Sequence, residues 1–187
     1  MSKKFLILLF LIPFQLMFAQ KSLLKDFPEG YTPKEIGKRI AYRFLTEKHA
    51  LHVGKWIGYP ETFYWSGALR YADGAKDKEL IQRLQEKFDF LFTEEKILQP
   101  IMNHVDLNMF GSLPLEFYLV TKDLKYRYLG LPYADSQWEL PRNAKPHEKE
   151  WAEKGYSWQT RLWIDDMYMI TIVQTQAYRV TGDRKYI

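Results

Sequence analysis

Two kinds of helical segment alternate along this chain, and this alternation limits the possible folds more than any other feature of the sequence. In the first kind, apolar residues recur every three or four positions among charged ones, which predicts a helix with one buried face. The first kind comprises residues 33–48, with Ile36, Ile40 and Phe44, and residues 76–96, with Leu80, Leu84, Phe88 and Leu91. In the second kind most positions are apolar or aromatic, which predicts a helix buried on several sides. The second kind comprises residues 59–71, 113–120 and 164–180.

A similar turn follows each apolar segment. The stretches TKDLKY at 121–126 and TGDRKY at 181–186 are nearly identical, and ADGAKD at 72–77 resembles them. Each contains an aspartate, Asp77, Asp123 or Asp183, that can cap the next helix. The repeat predicts an all-α array of helical hairpins, with apolar inner helices and amphipathic outer helices wrapped around them. Because an open array would expose its inner helices, we expect further helices of a larger domain or a homo-oligomer partner to cover them.

Residues 1–20 have the pattern of a secretory signal peptide. Lys3 and Lys4 precede an apolar run, and the small residue Ala19 offers a cleavage point. The run is shorter than the roughly 20 residues that span a bilayer, which favours a signal over a membrane anchor. We therefore expect an exported protein, periplasmic or extracellular, whose mature domain is residues 21–187 and has no membrane attachment.

Composition excludes several classes of function. The formal net charge of +4 includes Lys3 and Lys4, so the mature domain is close to neutral and has no electrostatic reason to bind nucleic acid. The absence of cysteine excludes a disulfide scaffold, a thiolate zinc site and a cysteine nucleophile. His49 and His52 lie three residues apart on a predicted outer helix, and we interpret them as surface histidines because two ligands do not make a metal site.

The loops that enter the apolar segments mix aromatic and hydrogen-bonding residues. This mixture, in residues 58–67, 103–111 and 155–167, suits sugars, whose C–H faces pack on aromatic rings and whose hydroxyls bind polar groups. Asp106 and Asp165 lie in two of these loops and supply the pair of carboxylates that acid/base chemistry on a glycoside needs. A plain capping role stays open for both, because aspartate at a helix start is most often a cap.

The most specific motif is Trp163-Ile164-Asp165-Asp166-Met167-Tyr168-Met169. It resembles the W-x-D-x-(L/M)-(Y/F)-M stretch of the unsaturated uronyl hydrolases, glycoside hydrolase families 88 and 105. Upstream, residues 106–111 (DLNMFG) are similar to the D-x-x-x-x-G element of the same enzymes. The resemblance implies that the chain forms about the amino-terminal half of an (α/α)6 barrel, and that its activity requires no metal or organic cofactor.

The resemblance also implies a substrate and site residues. The substrate is an oligosaccharide left by a polysaccharide lyase, with a C4=C5 double bond in its non-reducing-end uronic acid. Asp165 matches the general acid/base that protonates C4 before water adds at C5, Asp106 the second carboxylate, and Trp163 a wall of the uronate subsite. Tyr64 and Lys154 match substrate-contacting positions more loosely. Arg161 is our own candidate for pairing with the substrate carboxylate, because a guanidinium binds carboxylates bidentately.

Two alternatives remain open from the sequence. One is a different α/α-barrel carbohydrate enzyme, such as an inverting hydrolase with two separated acids, and the other is a non-catalytic helical array that binds sugar or a partner protein. The region 136–153, with Trp138 and Trp151, is either the lip of a sugar subsite or a surface excursion.

Overall fold

The computed structural model describes residues 26–187, so the predicted signal at residues 1–20 lies outside the described residues. The chain divides into a short unit that ends at Ile36 and a large unit, Gly37–Ile187. In the short unit, Thr32 and Glu35 form a capping box: the Glu35 N–H donates to Thr32 Oγ1 at 3.2 Å, and the Thr32 N–H donates to Glu35 Oε2 at 3.0 Å.

The described chain is built almost entirely from helices. In chain order they are α1 (Pro33–Thr46), α2 (Tyr59–Ala75), α3 (Lys78–Asp89), α4 (Val105–Asn108), α5 (Ser112–Thr121), α6 (Leu124–Ser136), α7 (Pro146–Glu153) and α8 (Ile164–Thr181). Single 3-10 turns lie at Phe90–Phe92, Lys96–Leu98, Met109–Gly111 and Arg184–Tyr186. The strands β1 (Leu51–His52) and β2 (Trp56–Ile57) form a small antiparallel ribbon. Within residues 26–187, no helix combines the length and the apolar character that a bilayer crossing requires.

The helices pack as the predicted hairpins. Helix α2 packs on α3, α5 packs on α6, and the inner helix α5 also contacts α2 on one side and α8 on the other. The core between them is aromatic, with ring centroids 5.2 Å apart for Trp65 and Phe88, 4.9 Å for Phe88 and Phe117, and 5.1 Å for Phe117 and Tyr126. All four side chains are fully buried. The all-α hairpin fold predicted from the sequence is therefore confirmed.

The repeated turns have the predicted capping role. Asp77, Asp123 and Asp183 each accept a hydrogen bond from a backbone N–H two or three residues further on, at 3.0 Å. The residue that ends the preceding helix is left-handed in each case, with φ of 56° at Lys76, 65° at Lys122 and 71° at Gly182. The shared sequence thus encodes a helix stop followed at once by a helix start.

Two glycines set the distance between α5 and α6. A Cβ atom on Gly111 would lie 2.2 Å from Cβ of Tyr133, and one on Gly130 would lie 2.6 Å from Cγ of Leu115. Neither position has room for a side chain, so the backbones approach closely where the Met109–Gly111 turn leads into α5. Gly111, the last residue of the DLNMFG element, is therefore required by packing next to the short helix that carries Asp106.

The interpretation of His49 as a surface histidine is wrong. Helix α1 ends at Thr46, so His49 lies in the following loop and His52 lies on β1. Only 10% of the His49 side chain is exposed, because Nδ1 lies 2.7 Å from Glu61 Oε1, Nε2 lies 3.1 Å from Glu95 Oε2, and the ring stacks on Trp65 with 5.6 Å between centroids. His49, Glu61 and Glu95 are called the His49 cluster below.

Candidate active site

The short helix α4 brings Asp106 to the beginning of α8. Val105 and Met109 are fully buried and form a small hydrophobic cluster with Met169 of α8. This contact joins the loop at 103–111 to the first turns of α8, which lie far apart in sequence. Asp106, near the start of α4, therefore faces the residues that precede and begin α8.

Arg161 binds two of the aspartates that meet there. Its Nη1 and Nη2 donate to the two oxygens of Asp106 at 3.2 and 2.9 Å, a bidentate pair, and its Nε donates to Asp166 Oδ1 at 3.0 Å. Nη2 also lies 3.6 Å from Asp165 Oδ2. The guanidinium thus lies among three carboxylates, and Arg161, Asp106, Asp165 and Asp166 are called the Arg161 cluster below.

Asp166 anchors the loop before α8. Its side chain is fully buried, and its Oδ2 accepts the backbone N–H groups of Arg161 at 2.5 Å and Trp163 at 3.4 Å and the hydroxyl of Thr160 at 3.3 Å. Burial favours the protonated acid, but the hydrogen bonds from Arg161 outweigh it and hold the pKa of Asp166 below its ordinary value. Asp166 is therefore an ionised structural residue that fixes the position of Arg161.

Asp165 is the carboxylate of the cluster that solvent reaches. Its side chain is 49% exposed, compared with 13% for Asp106 and none for Asp166. Oxygens of the three aspartates lie within 4.8 Å of one another, close enough in principle to share a metal ion. Arg161 already binds Asp106 and Asp166 and lies within ion-pair distance of Asp165, so the three carboxylates share one positive charge.

Trp163 lies between the cluster and a cavity. The residue is 59% exposed, and the Arg161 guanidinium carbon lies 4.3 Å from the centroid of its ring, which is cation–π geometry. The cavity has a volume of about 500 Å³, and its lining includes Trp163, Trp138, Tyr156 and Met167. The half-exposed Asp165 and the exposed Trp163 thus both contact Arg161 at the start of α8, although Asp165 itself does not line the cavity.

The structure brings together four of the six residues predicted for the site, namely Asp106, Arg161, Trp163 and Asp165. Tyr64 is exposed on α2 and lines a different cavity, of about 540 Å³, together with Ile40 and Glu61. Lys154 forms an exposed ion pair with Glu150 at 2.6 Å. It lines neither the cavity at Trp163 nor a smaller one, of about 290 Å³, whose lining includes His104 and Arg161. Arg161, our candidate for the substrate carboxylate, instead makes its bidentate pair with Asp106. Its guanidinium is already bound to the nearly buried Asp106 and the fully buried Asp166.

Sequence reasoning missed two members of the site. His104 caps α4, with its Nδ1 accepting the Asp106 N–H at 3.2 Å, and lies 3.7 Å from Asp106 Oδ2. Asp166 was not among the predicted site residues, although its carboxylate binds both the side chain and the backbone of Arg161. The sequence offered two signals for them. His104 is a polar residue two positions before Asp106, and Asp166 is an aspartate at the third position of α8, where capping residues are common.

Comparison with known proteins gave one match, to a family model. The family model described as Glycosyl Hydrolase Family 88 matches residues 33–187, which covers both α4 and the start of α8. No curated protein and no solved structure gave a significant match to the chain.

Proposed function

This chain belongs to glycosyl hydrolase family 88, a family of carbohydrate hydrolases, and on that premise we propose that it hydrates unsaturated uronyl residues at the non-reducing end of lyase-generated oligosaccharides. The observation that carries the proposal is the half-exposed carboxyl group of Asp165, next to the exposed indole of Trp163 and within reach of Arg161. The export signal predicted at residues 1–20 would place such an enzyme where extracellular polysaccharides are cleaved.

The proposed reaction adds one water molecule across the C4=C5 bond. Protonated Asp165 transfers its proton to C4, and positive charge develops at C5 and the ring oxygen. Water then adds its oxygen to C5 and returns a proton to the Asp165 carboxylate, so the enzyme ends in its starting state. The product is a hemiketal at C5, which opens to a ketone and releases the remaining saccharide from C1.

The other residues of the Arg161 cluster hold the acid in place. Asp106 and Asp166 share the guanidinium charge, and their ion pairs fix Arg161 next to Asp165. Trp163 offers an apolar surface to the sugar ring beside Asp165.

Replacing Asp165 by asparagine in the full-length protein tests the proposal. The variant keeps the shape of the side chain and removes the transferable proton, so we expect turnover of an unsaturated uronyl disaccharide to fall about 10³-fold. The readout is the ultraviolet absorbance of the C4=C5 bond conjugated with the carboxylate, which only hydration removes. Asp183→Asn is the matched control, because Asp183 also begins a helical turn but lies after the carboxyl end of α8.

Two results would contradict the proposal. One is an Asp165→Asn variant that consumes the double bond at the rate of the unmodified protein. The other is an unmodified protein that cleaves saturated glycosides and leaves the absorbance unchanged, which is the behaviour of the inverting hydrolase considered above.

A further inference from the structure

Leu162 lies between Arg161 and Trp163 in a backbone conformation that its side chain disfavours. Its φ is 60°, in the left-handed region, where residues other than glycine are uncommon. The left-handed residues Lys76 and Lys122 each end a helix, but Leu162 lies between the end of α7 and the start of α8. The conformation of Leu162 therefore serves something other than a helix end.

Packing of the Leu162 side chain does not explain this conformation. The residue is 59% exposed, and it lies in the lining of the cavity of about 500 Å³ that Trp163 also lines. A strained backbone persists where the surrounding contacts determine it, and such residues cluster at functional sites. The contacts that hold Leu162 are those of the backbone on either side of it.

Hydrogen bonds on both sides of Leu162 hold the chain in this shape. The N–H groups of Arg161 and Trp163 both donate to Asp166 Oδ2, at 2.5 and 3.4 Å. The Leu162 N–H between them donates instead to Thr160 Oγ1, at 3.0 Å. In an extended chain, N–H groups two residues apart are separated by about 6.6 Å, too far for one oxygen to accept both at these distances. A left-handed residue between them curls the chain into a nest of N–H groups around the carboxylate.

The same curl sets the two neighbouring side chains. Arg161 reaches Asp106 and Asp166, and its guanidinium carbon lies 4.3 Å from the ring centroid of Trp163. Nη2 of Arg161 then lies 3.6 Å from Asp165 Oδ2. Because both side chains are attached directly beside the left-handed residue, its conformation determines how the guanidinium and the indole are presented to Asp165.

We propose that Leu162 is a positioning residue of the site. Its left-handed backbone, and not its side chain, holds Arg161 and Trp163 in the arrangement that serves Asp165. The inference rests on the proposed function, because it concerns the residues around the reacting acid. The alternative is a direct apolar contact between the Leu162 side chain and a ligand in the cavity, which predicts the opposite ranking of variants.

Three substitutions of Leu162 separate the two roles. Leu162→Asn keeps nearly the shape of the side chain, removes its apolar character and suits the left-handed region, as does Leu162→Gly. Leu162→Val keeps an apolar side chain but is β-branched, which the left-handed region disfavours strongly. We expect kcat/KM for an unsaturated uronyl disaccharide to fall about tenfold in Leu162→Val and to stay within about twofold in the other two variants.

Lys122→Val is the matched control. Lys122 is also left-handed, with φ of 65°, but it ends α5 and lines neither cavity at the Arg161 cluster. Under conditions where circular dichroism shows it folded, Lys122→Val should match the turnover of the unmodified protein. The proposal is overturned if turnover follows the apolar character of residue 162, if no variant changes it, or if Leu162→Val and Lys122→Val lose it equally.

A spectroscopic readout keeps the test decisive if the disaccharide does not react. The Nε–H of Arg161, which donates to Asp166 at 3.0 Å, should give a ¹H–¹⁵N NMR signal that Arg161→Lys removes. We expect Leu162→Val to shift or broaden this signal and Leu162→Asn to leave it nearly in place. If the unmodified protein consumes no double bond but the signal follows this ranking, the proposed reaction is wrong and the positioning role stands. A signal that Leu162→Val leaves unchanged overturns the inference.

Discussion

The His49 cluster and the Arg161 cluster have the same plan but differ in what they leave free. In each, a side chain that can carry positive charge lies between two carboxylates from separate parts of the chain. Every polar atom of the His49 ring is paired, with Glu61 and Glu95, and no other acid lies in that cluster. The Arg161 cluster adds Asp165, which is half-exposed and adjoins the exposed Trp163.

This difference separates a structural cluster from a candidate active site. Burial and ion pairing alone do not distinguish the two, because both clusters have them. Cavities do not distinguish them either, because His49 and Glu95 line one of about 460 Å³. The distinguishing feature is the third carboxylate, Asp165, which is half-exposed and which the guanidinium does not satisfy bidentately. The central groups also differ, because a guanidinium keeps its charge at all relevant pH values and an imidazole does not.

The largest effect on stability should come from Asp166→Ala. The substitution leaves the N–H groups of Arg161 and Trp163 without their acceptor and removes one carboxylate from a permanent cation, so we expect the free energy of unfolding to fall by about 3 kcal/mol. Urea denaturation of the full chain measures this. Asp165→Ala, one residue earlier and half-exposed, is the control and should change stability by about 0.5 kcal/mol or less. Equal losses of stability for both variants would contradict the assignment of a structural role to Asp166 and a catalytic role to Asp165.

A smaller loss is expected for Glu61→Ala. Glu61 is 2% exposed and accepts hydrogen bonds from the His49 ring and, at 3.1 Å, from the Ala50 N–H. Its removal should lower the free energy of unfolding by about 2 kcal/mol, less than for Asp166, because the histidine left behind can shed its charge while Arg161 cannot. Under conditions where the variant is folded, its turnover should match that of the unmodified protein. A loss of turnover in the folded variant would show that the two clusters are coupled.

The sequence predicts the fold well because the fold depends on local patterns. The aspartate caps, the stripe containing Leu80, Leu84 and Phe88, and the apolar run of α8 each act within a few residues, and the structure has them where they were expected. The end of α1 at Thr46 was missed, because the charged residues that follow it look like the polar face of a longer helix. The ribbon Leu51–Ile57 that replaces that helical turn carries no strong strand pattern.

The site was predicted only in part, because it depends on contacts between distant parts of the chain as well as on local patterns. The motif around Asp165 identifies which residues matter, but the partner of each charged group depends on contacts across many residues. Arg161 lies only a few residues before Asp165, and its pairing with Asp106 follows from the packing of α4 on α8, which no local pattern reveals. The same holds for His49, whose partners Glu61 and Glu95 lie on other elements.

The smallest expected effect is a pH dependence that only the His49 cluster should show near neutrality. The hydrogen bond to Glu61 raises the pKa of His49 above its ordinary 6.5, against the opposing effects of burial and of nearby Lys87, and Glu95 adds to the rise. A raised pKa means that the charged ring stabilises the folded state fully below about pH 6.5, and that this stabilisation is lost as the pH rises through the folded value. For Asp166, whose pKa is lowered, the contribution is instead lost only in acid.

We therefore expect the stability difference between the unmodified protein and His49→Gln, measured by urea denaturation, to be largest at pH 6 and to shrink by pH 9. If the difference does not vary over this range, His49 is neutral in the folded protein. Its contacts with Glu61 and Glu95 are then hydrogen bonds without ion pairing.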